Sequence, residues 1–332
     1  MNTQLERMNA KSPVLDHEYL KRYPSIMAEA PAGRTSSRYS FIPTTRIIEQ
    51  FEAVGFYPVL VKEAHAGDDR QGFQKHLIRF RQPNVAATGL DKLFPEIVLT
   101  NSHDAGASFK LMMGIFRLVC TNGAVVGESF GGTIRINHVG YTDQAVRDAV
   151  RMIGDRLPQV MDRVDEFKAL EMTPDDKGVF ALEALGTKYS KEDLIRRTFD
   201  TDALLLPARA IDSASTLWNS YNTVQERLVE RGGRIEHRKT RERYNYRTRQ
   251  MEPVIKAVRT RAVNSPAENV KVNQRLWELA EDFNTLISTR GHCEPGSAKK
   301  VMNGIIKSVT GVDKMSLEDA RTFLEQREAA QA

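Results

Sequence analysis

The chain has 332 residues, 41% hydrophobic and 27% charged, with a net charge of +5 and a sequence pI near 9.1. That length buries a sizeable core and makes two domains the expectation. The composition excludes a collagen-like or disordered chain, and so mild a cationic excess permits nucleic-acid contact without requiring it.

Residues 1–40 read as an irregular N-terminal arm, with Pro, Gly and Ser gathered in PAGRTSSRYS. Thr44 and Thr45 open a helix in a capping arrangement with Glu49, Ile47, Ile48, Phe51 and Val54 form its apolar face, and Gly55 ends it. Four strands follow: Phe56–Ala64, Phe73–Arg81, Glu96–Asn101 and Phe109–Cys120, the last apolar throughout and so covered on both faces. Asn122-Gly123 is a hairpin dipeptide that returns the chain as Ala124-Val125-Val126, with Thr133–Asn137 pairing beyond it. Gly127–Gly132 is a connecting loop, since it lacks the Lys-Ser/Thr ending of a phosphate-binding loop.

From Thr142 the apolar period becomes helical. A long helix carries Val146, Val150, Ile153, Val160, Val164 and Phe167, with Pro158 expected to kink or split it. Glu171–Gly178 reads as a loop, Ser190 caps a short helix, and Ser213–Glu230 is a helix stopped by Gly232-Gly233. Arg234–Val258 is basic and irregular, in the manner of a mobile hairpin. Asn269–Ile287, Ser297–Val309 and Leu317–Leu324 are further helices. The expected class is α+β: an antiparallel sheet covered by helices, with a mainly helical C-terminal half. The expected organisation is an arm (1–40), a sheet domain (41–140), a helical region (141–316) carrying a basic hairpin (231–261), and a tail (317–332).

Chemistry-bearing residues concentrate in few places. Between Thr100 and Gly123, His103, Asp104, Arg117, Cys120 and Asn122 bracket the fourth strand. His103 as general base, with Asp104 and Arg117, is one catalytic reading. Turn chemistry and an ordinary core cysteine account for the same residue types, and a straight strand would hold the two ends apart. Arg238, Lys239, Arg241, Arg243, Arg247 and Arg249, interleaved with Tyr244 and Tyr246, combine phosphate-seeking guanidiniums with rings that stack on bases. A solvated hairpin neutralised by Glu236, Glu242 and Glu252 is the competing reading. Lys75, Arg79 and Arg81 alternate along the second strand as a face able to track a phosphate backbone, or as a plain exposed face, with His76 on the opposite side. The two cysteines, Cys120 and Cys293, are far apart, and the seven histidines are dispersed. No disulfide framework, metal site or cofactor is expected, and a cytoplasmic location is. The N-terminus lacks the apolar run of a signal peptide, and no stretch is long enough to span a bilayer.

The segments SHDAG (102–106), IFRLVCTNG (115–123), LWNSYNTVQERLVERGG (217–233) and NQRLWELAEDF (273–283) resemble the phage/plasmid-like protein family, also described as domain of unknown function 932. The resemblance runs over about residues 38–310 and weakens at Ser297-Ala298-Lys299, where the family has a Thr-Ala-Trp-type helix start. It implies a mobile-element origin and supplies no catalytic residue to carry over. The element order from Thr44 through Phe167 also looks like the core of single-strand annealing proteins, a likeness of topology alone.

The reading that unites these features is a non-enzymatic nucleic-acid-binding protein of a phage or plasmid. It would bind or anneal single strands in recombination or replication, with single-stranded DNA the favoured partner and no membrane contact. The alternatives are a protein-interaction factor that counters a host defence system, with a host protein or a second copy of the chain as partner, and an uncharacterised enzyme.

Overall fold

The computed structural model describes residues 14–37, 39–67, 70–82, 93–117, 123–125, 133–136, 142–230 and 236–330. In chain order the elements are α1 (His17–Leu20), α2 (Thr44–Ala53), β1 (Tyr57–Glu63), β2 (His76–Arg81), β3 (Leu93–Asn101), β4 (Phe109–Arg117), β5 (Gly123–Val125), β6 (Thr133–Ile136), α3 (Asp143–Ala169), α4 (Pro174–Gly186), α5 (Lys191–Arg196), β7 (Thr198–Phe199), α6 (Thr201–Leu205), α7 (Leu217–Gln225), β8 (Glu236–Asn245), β9 (Gln250–Arg259), α8 (Pro266–Arg290), α9 (Ser297–Thr310) and α10 (Leu317–Ala329). The class is α+β. The chain divides into two compact units, Met1–Arg163 with Val263–Glu278, and Val164–Ala262 with Leu279–Ala332.

The first unit is built on an antiparallel meander, β1-β2-β3-β4. Gly123–Val125 does return against β4, opposite Gly114–Phe116. The next strand departs from expectation: β6 pairs not beyond β5 but with β4 itself, opposite Phe109–Met112. One edge of β4 is thus shared by two short strands. Strand alternation sends Ile78, Phe80, Ile97, Leu99, Leu111 and Met113 to one face, where Phe51 of α2 stacks on Phe80 with ring centroids 4.3 Å apart. α3 is tied to α2 there by Arg46–Asp143 (2.6 Å) and Arg147–Gln50 (3.0 Å). The opposite face carries Leu77, Val98, Met112, Phe116 and Val125, which pack with Val270 of α8.

The N-terminal segment is irregular outside α1, and it contributes side chains to the core. Leu20, Ile26 and Ala32 are buried, and the Leu15 N–H donates to the Pro58 carbonyl at 2.7 Å. The Thr44 hydroxyl does not cap α2, whose N-cap is Pro43 without a side-chain bond. It turns inward instead. Gly55 supplies the left-handed residue after the helix, with φ of 84°.

In the second unit the expected loop at 171–178 is the start of a helix. Thr173 and Asp176 form a reciprocal capping box ahead of Pro174, which takes the first helical position. Phe180 of α4 meets Phe283 of α8 edge to face at 5.2 Å, and Trp218 stacks on Tyr221. A second cluster joins Ile195, Ile306, Ala320 and Leu324 from α5, α9 and α10. Pro158 neither ends nor divides α3, which runs as one helix with the proline inside it. The segment expected to be irregular, 234–258, is regular from Glu236 onward: β8 and β9 form an antiparallel ladder from Glu236↔Arg259 to Asn245↔Gln250. Among the described residues no helix is long and apolar enough to cross a membrane.

Candidate functional site

The basic hairpin is a ribbon of ten paired positions, about 30 Å long at strand rise. β7 adds a third strand only at its base, opposite His237 and Arg238. Arg238, Lys239, Arg241 and Arg243 occupy positions along β8, opposite Ala257, Lys256, Val254 and Glu252. The tip is an ordered turn. Asn245 Oδ1 accepts from the Arg247 N–H at 2.9 Å, and the Arg249 N–H donates to the Asn245 carbonyl at 2.8 Å. Glu252 accepts from the Asn245 amide (2.8 Å) and the Thr248 hydroxyl (2.6 Å), which hold its carboxyl below the usual range. That carboxylate therefore braces the turn. Arg249 sits in the left-handed region, with φ of 56°, a conformation costly to a residue with a Cβ. Tyr246 is 87% exposed and lies edge to face with Tyr244 at 5.2 Å. Arg247 and Arg249 are exposed beside them.

The second strand does not present the expected basic face. Arg79 is 8% exposed, and Arg81 is largely buried. Both donate to Glu96: Arg79 Nε at 2.5 Å and Arg81 Nε at 2.7 Å. Each guanidinium also lies over a ring, Arg79 on Phe116 (3.2 Å to the centroid) and Arg81 on Phe94 (3.9 Å). Two cations committed in this way to a buried carboxylate do not reach an external phosphate. Gly114 makes room for the arrangement, because a Cβ there would lie 2.5 Å from the Phe116 ring. Lys75, just before β2, stands apart from these two and lines a cavity.

The polar residues after β3 separate. Asp104 accepts from Arg34 (2.7 Å), Arg70 (2.8 Å) and the Gly106 N–H (2.8 Å). Burial opposes its ionisation, but the bonds from Gly106, Ser102 and Arg70 outweigh that and lower its pKa. It clasps three segments as a fixed anion. His103 turns the other way, its Nε2 lying 3.1 Å from the Thr44 hydroxyl. Arg117 is buried opposite Leu93, at the far end of β3 and roughly 25 Å along the strand. β4 is continuous through Gly114, so the three residues do not converge. Cys120, Asn122 and Gly127–Gly132 lie outside the described residues, as do Arg231–Arg234.

A network that the sequence reading did not assemble occupies the end of the sheet. Ser25 Oγ donates to Glu63 at 2.5 Å, and His76 Nδ1 lies 2.9 Å from Ser25 Oγ and 3.3 Å from the Gln74 carbonyl. His76 Nε2 is 2.9 Å from Thr44 Oγ1, and the Asn101 amide donates to the same oxygen at 3.3 Å. With the His76 ring neutral, one assignment of protons satisfies these contacts. The Ser25 proton goes to the carboxylate, so His76 carries its proton on Nδ1 and accepts from Thr44 at Nε2. Thr44 then accepts from His103 Nε2–H and from Asn101.

Burial, followed by the proximity of His103, drives the His76 pKa down to about 3. An unfolded imidazole titrates near 6.5, so between these values the unfolded chain takes up a proton that the folded one refuses. Stability falls as pH drops through that window, by about 1.4 kcal/mol per unit from this group. We expect the urea midpoint at about pH 5 to report roughly 2 kcal/mol less stability from His76 than at about pH 7. Imidazole ¹⁵N shifts should show a neutral Nδ1–H ring at the lower pH; a protonated ring there would refute the assignment.

An antiparallel sheet with a buried polar network at its end in one unit, and a two-stranded ribbon of basic sequence in the mainly helical second unit, define a two-part α+β protein. Residues 31–277 match the family described as Domain of unknown function (DUF932), and the chain belongs to it. It is similar to two proteins of Escherichia coli (strain K12). UPF0380 protein YafZ is 30% identical over 275 residues, covering 81% of this chain and 91% of the relative. UPF0380 protein YfjQ is 30% identical over 275 residues, covering 82% and 92%. No solved structure matches.

Proposed function

We propose that the chain binds single-stranded nucleic acid through the β8–β9 ribbon, in the recombination or replication of a mobile element. The observation that carries this is the tip, where exposed Tyr246 stands beside exposed Arg247 and Arg249 on an ordered turn. An exposed ring stacks on an unpaired base whatever the sequence, and neighbouring guanidiniums pair with the flanking phosphates. Arg238, Lys239, Arg241 and Arg243 occupy positions of β8 leading to that tip. Lys256 and Arg259 follow on β9, against Glu236, Glu242 and Glu252. Glu252 is engaged by Asn245 and Thr248. That carboxylate keeps its negative charge, and the exposed Arg247 and Arg249 outnumber it at the tip. The resemblance of the sequence to a phage/plasmid-like protein family motivates the setting.

Fluorescence anisotropy with a short single-stranded DNA, at low and at physiological salt, tests this reading. Affinity is expected to fall steeply with salt. Tyr246→Ala should weaken binding by about 5- to 100-fold, the range for loss of one stacked base. Arg249→Gly separates the two properties of that position. It relieves the left-handed strain, leaving stability equal or up to about 1 kcal/mol higher, while reducing the salt slope by about one phosphate contact. Failure to bind at low salt, or unchanged affinity in Tyr246→Ala, would overturn the proposal.

A further inference from the structure

The tip of the ribbon carries more than one apolar group. Tyr244 and Met251 oppose each other directly across the β8–β9 ladder, so they share a face, with their Cβ atoms about 5 Å apart. Both are exposed, as is Tyr246 beyond them. The apolar end of the ribbon therefore spans both of its strands. Arg247 and Arg249 are exposed on the same turn, which Asn245 and Glu252 brace from within. A turn ordered in advance loses little freedom when a partner arrives.

The angle between the rings narrows the partner. The Tyr244 and Tyr246 planes stand at 83°, with centroids 5.2 Å apart. Bases in one stack are parallel, so two perpendicular rings do not serve two successive bases. The tip offers one stacking plane, with the second ring as its support. Proteins that hold continuous single strands line up several such planes. One plane is worth about 5- to 100-fold in affinity. Opening an intact duplex step to admit a ring costs about as much as that ring returns. The single plane is therefore most effective where a base face is already open and already held flat. The end of a duplex stack is such a place. A base pair is also wider than one base, as suits apolar groups standing on both strands of the ribbon.

We infer that the preferred partner of the tip is the junction at which a single strand leaves a duplex. Tyr246 caps the last base pair, Tyr244 and Met251 widen that contact, and Arg247 and Arg249 take phosphates where the strands part. This inference rests on the single-strand reading proposed above and narrows it to one class of substrate.

Anisotropy titration of the full chain with three labelled DNAs tests it: a hairpin duplex with a single-stranded extension, the extension alone, and the same duplex with a blunt end. The wild type is expected to bind the junction at least about fivefold tighter than either of the others. Tyr246→Ala should reduce that margin to less than about twofold, and Tyr244→Ala/Met251→Ala should reduce it in part. Thermal melting would confirm that the variants fold. A measurement on the wild type needs no variant: the imino proton of the last base pair, which exchanges quickly at an open duplex end, should be protected in the complex. Unchanged or faster exchange there overturns the inference. A margin that survives in Tyr246→Ala overturns it too, as does a blunt duplex bound as tightly as the junction. An extension bound as tightly as the junction overturns the inference and leaves the single-strand reading standing. Absence of binding to all three DNAs at low salt overturns both.

Discussion

Glu96→Leu is expected to destabilise the first unit by about 3–5 kcal/mol, the cost of removing one partner from a buried ion pair. Glu96 faces Gly114 across β3–β4, its side chain is fully buried, and it receives Arg79 and Arg81. Without the carboxylate, two guanidiniums remain buried against the Phe116 and Phe94 rings. Ring faces attract cations but do not replace an ion pair. The triple variant Arg79→Met/Glu96→Leu/Arg81→Met removes all three charges and fills similar volume. It should recover most of the loss and can exceed wild-type stability, because desolvating charges is itself expensive. Urea unfolding of the two variants decides the matter. A single variant within about 1 kcal/mol of wild type would show that the cluster is not dry, and the arginines would return as candidates for phosphate contact.

The same strand shows where sequence reading reaches its limit. Alternation identified Arg79 and Arg81 as sharing a face, and they do. It could not say which face was covered, because the covering residue, Val270, lies far along the chain. A glutamate opening the third expected strand was the available signal, since an apolar strand seldom carries a lone acid without a buried partner. Elements whose determinants are local were legible: the meander, the Ser190 cap, the helix over 217–225 and the existence of the hairpin. The start of α4 was also locally encoded, in Thr173-Pro174 and Asp176, but three consecutive turn-formers concealed it. Tyr244, Tyr246, Arg247 and Arg249 could be named as a group from composition alone, whereas their exposure depends on the ladder that carries them. The Ser25–Glu63–His76–Thr44–His103–Asn101 network was beyond reach for a different reason. Its members come from five separate stretches, and each has an ordinary local explanation, Thr44 as a cap and Asn101 as a turn residue.

Thr44→Val carries the second large effect, about 2–4 kcal/mol of lost stability at nearly constant volume. The hydroxyl is the single point at which three polar groups meet. His76 Nε2 needs its proton, while His103 Nε2–H and the Asn101 amide need its lone pairs. Thr44, His76, Asn101 and His103 are all 0% exposed, so water does not compensate. Valine has the same shape and none of this capacity. Thr44→Ser keeps the oxygen and loses only a methyl group, so it should cost no more than about 1.5 kcal/mol. The contrast distinguishes a polar hub from simple packing, which would make serine the worse substitution. A further consequence separates the two cases. Without the Thr44 proton, the neutral His76 ring has no donor at Nε2, and its fixed preference for Nδ1–H weakens. The ¹⁵N shifts of His76 in the valine variant should therefore move towards a mixture of tautomers, while those in the serine variant stay at the wild-type position. Unchanged shifts in the valine variant would mean that Ser25 and Gln74 alone order the ring, leaving Thr44 a spectator.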